Sequence, residues 1–202
     1  MRVLVLIAAV ALPVAGGQEL IERTLALVGG QPITLNDARA AMALGLIAVP
    51  ASGDRLSAAA AELIDRELVL REVQRYAPPA PSAAAIDARL DVIRQKFPPG
   101  ALDRVLESHG FTGERLRAWV RDDLRVQAYL DQRFASASAP TDADLSAAYA
   151  RQRAEFEQAG LTFEQALPAL RDRVAAERRA ELITDWISEL RRRTDVVLLT
   201  SQ

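Results

Sequence analysis

The chain has 202 residues, half of them apolar, which is enough for one domain with a buried core. Its net charge of −2 excludes the basic excess that a nucleic-acid-binding surface needs. The absence of cysteine excludes disulfides and thiolate metal sites. Alanine is abundant and every basic side chain except Lys96 and one histidine is an arginine, so the composition favours helices.

The first residues have the pattern of a secretory signal. Arg2 precedes the apolar run VLVLIAAVALPVA (3–15), and two glycines follow this run. The run is shorter than the roughly 20 residues of a membrane-spanning helix, which favours a cleaved signal over a retained N-terminal anchor. We therefore predict a signal peptide over residues 1–17 and an exported single domain over 18–202. ATP is not expected in an exported compartment, and the sequence contains no glycine-rich phosphate-binding loop.

The next segment, RTLALVGGQPIT (23–34), predicts a β-hairpin. Its Gly-Gly pair suits a two-residue turn, because glycine tolerates positive φ. Pro32 has no N–H to donate, which indicates an edge strand. Thr34 and Asp37 have the spacing of a capping box, so a first helix is expected to begin there.

That helix ends in GLIAVPASGD (45–54), which predicts a loop. The segment AMALGLIAVP (41–50) runs into this loop and contains five apolar residues, more than one helix face needs: Met42, Leu44, Leu46, Ile47 and Val49. They form the candidate peptide-binding residues, because they could line a groove for an extended apolar segment of a client. The alternative is that they pack beneath the loop.

Apolar periodicity and capping residues predict the remaining helices. A second helix, over about 56–76, has apolar residues around most of its circumference and is expected to be central. The same signals predict five later helices: one starting at Ser82, a short one ending at His109-Gly110, one starting at Thr112, one running from Thr141 to Phe156, and a long one from Thr162 to about Arg193.

The C-terminal segment DVVLL (195–199) predicts a final strand. A strand needs a partner for its backbone groups, and the hairpin at 23–34 is the other strand-like segment. We therefore predict a mainly α fold in which a small β-sheet joins the N-terminal hairpin to the C-terminal strand.

No residue pattern points to catalysis. His109 is the sole histidine, and its place at a helix end before a glycine favours a C-terminal cation over a general base or metal ligand. Asp122 and Asp123 are adjacent on a helix, so their side chains diverge by about 100°. The run RRR (191–193) favours a helix-end charge cluster over an anion-binding patch. We predict no catalytic residue, no metal and no cofactor.

Four segments in this order resemble one family: LALVGGQPITLND, AELIDRELVLREVQRY, GFTGERLRAWVRDDLRVQAYLDQRF and TFEQALPALRDRVAAERRAELITDWISELRRRTDVVLL. They are similar to the SurA-type periplasmic chaperones and their parvulin-linked relatives. The resemblance implies one helical chaperone module that the C-terminal helix (163–193) completes. In those relatives a parvulin prolyl isomerase domain follows a segment like DADLSAAYARQRAEF. Here EQAGLT (157–162) leaves no room for it, and the isomerase's histidine-bearing strand has no counterpart.

The sequence therefore predicts a periplasmic, ATP-independent chaperone without prolyl isomerase activity. Its expected partners are unfolded outer-membrane or secreted polypeptides, with no nucleic acid and no small-molecule cofactor. Contact with the membrane is expected only transiently, through the signal peptide, and a homodimer is compatible with the pattern. Two alternatives stay open: an exported helical adaptor for a folded partner, and a peptidyl-prolyl isomerase by family label only.

Overall fold

The computed structural model describes residues 23–199, so the predicted signal peptide (1–17) lies outside the described residues. The elements in chain order are β1 (Thr24–Val28), β2 (Gln31–Thr34), α1 (Leu35–Ala43), α2 (Arg55–Tyr76), α3 (Ala83–Arg94), α4 (Ala101–Ser108), α5 (Gly113–Phe134), α6 (Asp142–Arg151), α7 (Arg153–Gln158), α8 (Phe163–Arg193) and β3 (Val196–Leu198). The predicted mainly α fold with a small sheet is confirmed. Within the described range no helix has both the length and the apolar content to cross a membrane.

Local capping chemistry sets the helix starts. The hydroxyls of Thr34, Thr141 and Thr162 each accept a hydrogen bond from the backbone N–H three residues on, and the side chain at that third position reaches back to the threonine N–H. The capping box predicted at Thr34 and Asp37 is thus confirmed, and each of the three boxes satisfies two N–H groups that the helix cannot pair internally. Ser82 caps α3 by accepting from the N–H of Ala85 at 3.1 Å.

The predicted continuous helix from Thr141 to Phe156 is wrong in one respect. It is broken at Gln152, whose φ of −117° leaves the helical region, so that α6 and α7 are separate. A physical reason lies in two aromatic rings. In an unbroken helix Tyr149 and Phe156 would be about 10 Å apart along the axis, whereas the break stacks their rings with centroids 5.2 Å apart.

The sheet joins the two ends of the described chain. Its order is β2-β1-β3, and both pairings are antiparallel. The hairpin turn carries Gly29 at φ +52°, and its N–H donates to the carbonyl of Asp195 at 2.8 Å. β2 with Pro32 is an edge strand, as predicted. In β1 the register shifts by one residue between Thr24 and Ala26, as in a β-bulge at Leu25.

Three groups of buried side chains hold the helices together. The first contains residues of the sheet, α1, α2, α5 and α8, with α2 at its centre, as predicted. The second joins α1 to α3, α4 and α5. The third is smaller and packs α6 against α8 through Leu145, Ala148, Ala166 and Leu170. The chain passes from α7 to α8 through residues 159–162, where Gly160 has φ +67°.

Charged side chains fasten α8 and α5 to α2. At the end of α8, Arg191 pairs with Asp65 at 2.5 Å and Arg193 pairs with Glu72 at 3.0 Å, so two of the three arginines at 191–193 bind the central helix. On α5, Asp123 accepts from Arg66 at 2.9 Å. These pairs orient α5 and α8 on the first core and carry β3 back to β1.

Candidate peptide-binding surface

The five predicted peptide-binding residues lie at the end of α1 and in the following loop. Leu44 is only 1% exposed and belongs to the second core, so it has no surface to offer to a client in this structure. Met42, Leu46, Ile47 and Val49 are half-buried and pack against the first core. The structure therefore assigns a packing role to Leu44, and peptide binding by the other four stays a prediction.

A surface groove adjoins this segment, and we call it the loop groove. It encloses about 470 Å³ between the end of α1, the start of α2 and the end of α4. Its lining residues are Arg39, Met42, Ala43, Arg55, Leu56 and His109. Of the predicted residues, only Met42 lines it.

A second groove, the strand groove, lies between the sheet, α2 and the end of α8. It encloses about 450 Å³. Its apolar lining comes from Leu25, Leu56, Ala60, Ala61, Ile64, Leu198 and Leu199, and its polar lining from Arg23, Asp54, Ser57 and Arg191. Leu56 lines both grooves, so the two grooves adjoin at the start of α2.

The strand groove contains the most exposed aliphatic side chain among the large hydrophobic residues that the structure describes. Leu198 is 64% exposed and Leu199 is 41% exposed. Sequence reasoning predicted the strand but missed this exposure. One signal was present: a strand covered on one face should alternate apolar and polar residues, whereas VVLL is apolar throughout.

Hydrogen bonds hold the charged residues of the strand groove in place. The guanidinium of Arg191 donates to Asp65, which raises the pKa of Arg191. It also donates to the carbonyl of Ala61 at 3.2 Å. The Asp54 carboxylate accepts from the hydroxyl and the N–H of Ser57, which lowers the pKa of Asp54 and fixes the start of α2. The groove walls are therefore built on capped and paired groups.

The loop groove carries cationic side chains. Arg39 and Arg55 are exposed, and no carboxylate of the described residues lies within 4.0 Å of either guanidinium. His109 also faces this groove, as the C-cap residue of α4. The predicted helix-end position of His109 is thus confirmed. This side of the surface favours an anionic group in whatever binds there.

The other chemical candidates are separated by the fold. Asp123 binds Arg66, whereas Asp122 lies beside Arg121 and Arg125, so the two carboxylates do not converge. Burial raises the pKa of Asp123, although the charge of Arg66 opposes that shift. Among residues 23–199, no group of three or more histidine, aspartate or glutamate side chains is placed to hold a metal ion.

Comparison with known proteins identifies the fold. No protein-family model and no curated protein matches the sequence. A solved chain that does match comes from work on the virulence factor PEB4 and the periplasmic protein Cj1289, two structurally related SurA-like chaperones of Campylobacter jejuni. Its TM-score is 0.54 at 13% identity, over 89% of this chain and 100% of the other. An identity this low shows the fold alone, and that fold is SurA-like.

Proposed function

We propose that this chain is an exported, ATP-independent chaperone that holds unfolded polypeptides in the periplasm without isomerising their prolines. The observation that carries the proposal is the apolar lining of the strand groove, where Leu198 is 64% exposed and Leu199 is 41% exposed. A SurA-like fold supports it, because the similar solved chain belongs to proteins described as SurA-like chaperones. The signal-like run at 3–15 supports export.

Modest affinity follows from the size of this surface. Burying two or three client side chains contributes about 1.5–3 kcal/mol each. Ordering an unfolded client offsets much of this gain. The total gain of about 3–9 kcal/mol before that offset makes micromolar binding, at about −8 kcal/mol, the upper limit of the affinity. Binding at that strength is reversible without ATP and lowers the concentration of free, aggregation-prone client.

Light scattering tests the chaperone activity. Purified protein over residues 18–202 is mixed at micromolar ratios with an urea-unfolded outer-membrane protein that is then diluted. We expect slower aggregation with the wild type, and weaker suppression with Leu198→Asp, which places a charge in the strand groove. Val92→Asp is the matched control, because Val92 is an exposed aliphatic residue of α3, 45% exposed, that lines neither groove.

Further measurements separate the alternatives and test the signal peptide. No suppression and no binding of unfolded peptides would refute the chaperone proposal. A stoichiometric complex with one folded protein, with no preference for unfolded chains, would identify an adaptor. A proline-isomerisation rate above the uncatalysed rate would identify an isomerase. The mass of the protein recovered from the periplasm tests cleavage after the proposed signal peptide.

A further inference from the structure

Within residues 23–199, no backbone group pairs with the outer edge of β3. On the inner edge, Leu27 pairs with Val197, and the N–H of Leu199 donates to the carbonyl of Leu25 at 2.9 Å. Backbone groups of successive residues point to opposite edges of a strand. The N–H and C=O groups of Val196 and Leu198 therefore point away from β1. In the described part of the chain no further strand lies on that side, since β3 ends the sheet order β2-β1-β3.

The same edge borders the strand groove. Leu198 lies opposite Ala26, which is fully buried on the face of the sheet that packs against α2. Directly paired residues share a face, so the side chain of Leu198 is on the α2 side, where it lines the groove with Ile64. A strand added beside β3 would place alternate side chains over this groove and satisfy the free groups of Val196 and Leu198.

Charge distinguishes between occupants of this edge. Arg23 lines the strand groove, Arg39 and Arg55 line the adjoining loop groove, and no described carboxylate lies within 4.0 Å of these three guanidinium groups. Asp54 is the one carboxylate that lines the strand groove, so the described charges of the two grooves are mainly positive. A second copy of this chain would bring the same mainly positive groove residues to the interface, and like charges oppose association. An acidic segment would instead be attracted to them.

We propose that the outer edge of β3 binds an extended client segment by β-augmentation, with apolar side chains alternating into the strand groove and acidic residues flanking them. This proposal rests on the chaperone function proposed above and assigns its binding mode and the chemistry of its client. Only Val196 and Leu198 of β3 offer outward hydrogen-bonding groups to the segment. The contact is therefore short, and the bound segment can dissociate readily.

Backbone-modified peptides test the binding mode with unaltered protein. The probe is the fluorescein-labelled peptide DLTLTVE, and the measurement is fluorescence anisotropy. In a strand added antiparallel to β3, the orientation of both other pairings in this sheet, residues whose side chains face the groove also direct their N–H groups toward β3. N-methylation of the leucines and valine is therefore expected to weaken binding about tenfold or more, through loss of two hydrogen bonds. N-methylation of the threonines is expected to change affinity by less than about twofold.

Variants of Leu198 test the protein side. Leu198→Pro removes the outward N–H and the side chain, whereas Leu198→Ala removes the side chain and keeps the N–H. The inner edge is untouched by both, so circular dichroism and the thermal midpoint are expected to stay near wild type. We expect Leu198→Pro to bind the probe several-fold more weakly than Leu198→Ala. The peptide KLTLTVK is expected to bind more weakly than the acidic probe, because Arg39 and Arg55 repel it.

The outcomes separate this inference from the proposed function. If the probe binds but its affinity depends neither on the position of methylation nor on Leu198→Pro, the edge of β3 is not the binding element. The proposed chaperone function would still stand in that case. If no unfolded peptide binds and aggregation is not suppressed, both are refuted. If light scattering after gel filtration finds a dimer that Leu198→Pro dissociates, the edge belongs to a second copy, which overturns the proposal. The methylated peptides decide the question even if Leu198→Pro fails to fold.

Discussion

Replacing Gly29 by alanine should weaken the sheet that joins the two ends of the described chain. At φ +52° an alanine costs about 1–2 kcal/mol, because its Cβ crowds the carbonyl oxygen. That Cβ would also lie 2.5 Å from the guanidinium carbon of Arg71, so the side chain of Arg71 must move. Arg71 donates to the carbonyls of Gly29 at 3.2 Å and Val28 at 3.4 Å. Losing these two bonds, one part-buried and one exposed, costs about 0.5–1.5 kcal/mol. The sum predicts a loss of about 1.5–3.5 kcal/mol in the free energy of unfolding.

Gly30→Ala is the matched control. Gly30 also has positive φ, at +86°, but no atom lies within 4 Å of its added Cβ, so only the backbone term applies. Urea unfolding followed by circular dichroism measures both losses. In an Arg71→Ala background, Gly29→Ala should cost only about 1–2 kcal/mol, because the clash and the hydrogen bonds are already absent. A loss below about 0.5 kcal/mol for Gly29→Ala would refute the reasoning.

Three more predictions concern α8 and its neighbours. Trp186→Ala should lower the free energy of unfolding in urea by about 3–5 kcal/mol, because Trp186 is buried beneath α5 in the first core. The control Val92→Ala should change it by less than about 0.5 kcal/mol. Similar losses in both variants would contradict the assigned core. The N–H and hydroxyl of Thr141, together with Arg178, lower the pKa of Asp144 from 3.8 to about 2. The Asp144 carboxylate therefore stabilises the folded state fully above its unfolded pKa, and this stabilisation is lost as pH falls through about 2. The difference in urea midpoint between wild type and Asp144→Asn should therefore be constant from neutral pH to about pH 5 and vanish near pH 2; a difference that persists there would count against the capping box. Pro168 is an exposed proline inside α8 and leaves one carbonyl of the preceding turn without its helical donor. Pro168→Ala should therefore raise the free energy of unfolding by about 1–3 kcal/mol. A decrease would show that the proline stabilises the fold at this position.

Much of the fold could be predicted because its signals are local. A threonine followed three residues later by Asp or Gln satisfies the first N–H groups of a helix wherever the helix packs. Glycine at 29 and 30 permits positive φ in any context. The pairing of β3 with β1 was predictable by elimination, since the backbone groups of a strand need a partner and the hairpin was the other strand-like segment.

The candidate surface was predicted only in part, because exposure depends on neighbours that are distant in the sequence. Met42 lines the loop groove, but Leu44, two residues away, is buried by side chains from α3, α4 and α5. Leu198 was expected in a strand, yet its exposure follows from the position of β3 at the end of the sheet. The break at Gln152 was not predicted for a similar reason, because the stacking of Tyr149 on Phe156 depends on the three-dimensional arrangement of the two helices.

The amino-acid sequence by itself determined which segments form helices and strands, where they begin, and that the two ends of the described chain meet. The helices, the strands and their starts depend on capping groups, glycine conformations and apolar spacing, all of which act within a few residues. The meeting of the two ends followed from the need of a strand for a hydrogen-bonding partner. Only the tertiary structure decided that residues of α2 supply much of the lining of the strand groove and that Arg191 and Arg193 fasten α8 to α2. It also decided that, among the described residues, one edge of the sheet stays open beside that groove. Side-chain burial and free backbone groups are properties of surfaces that come together on folding, so local pattern does not contain them.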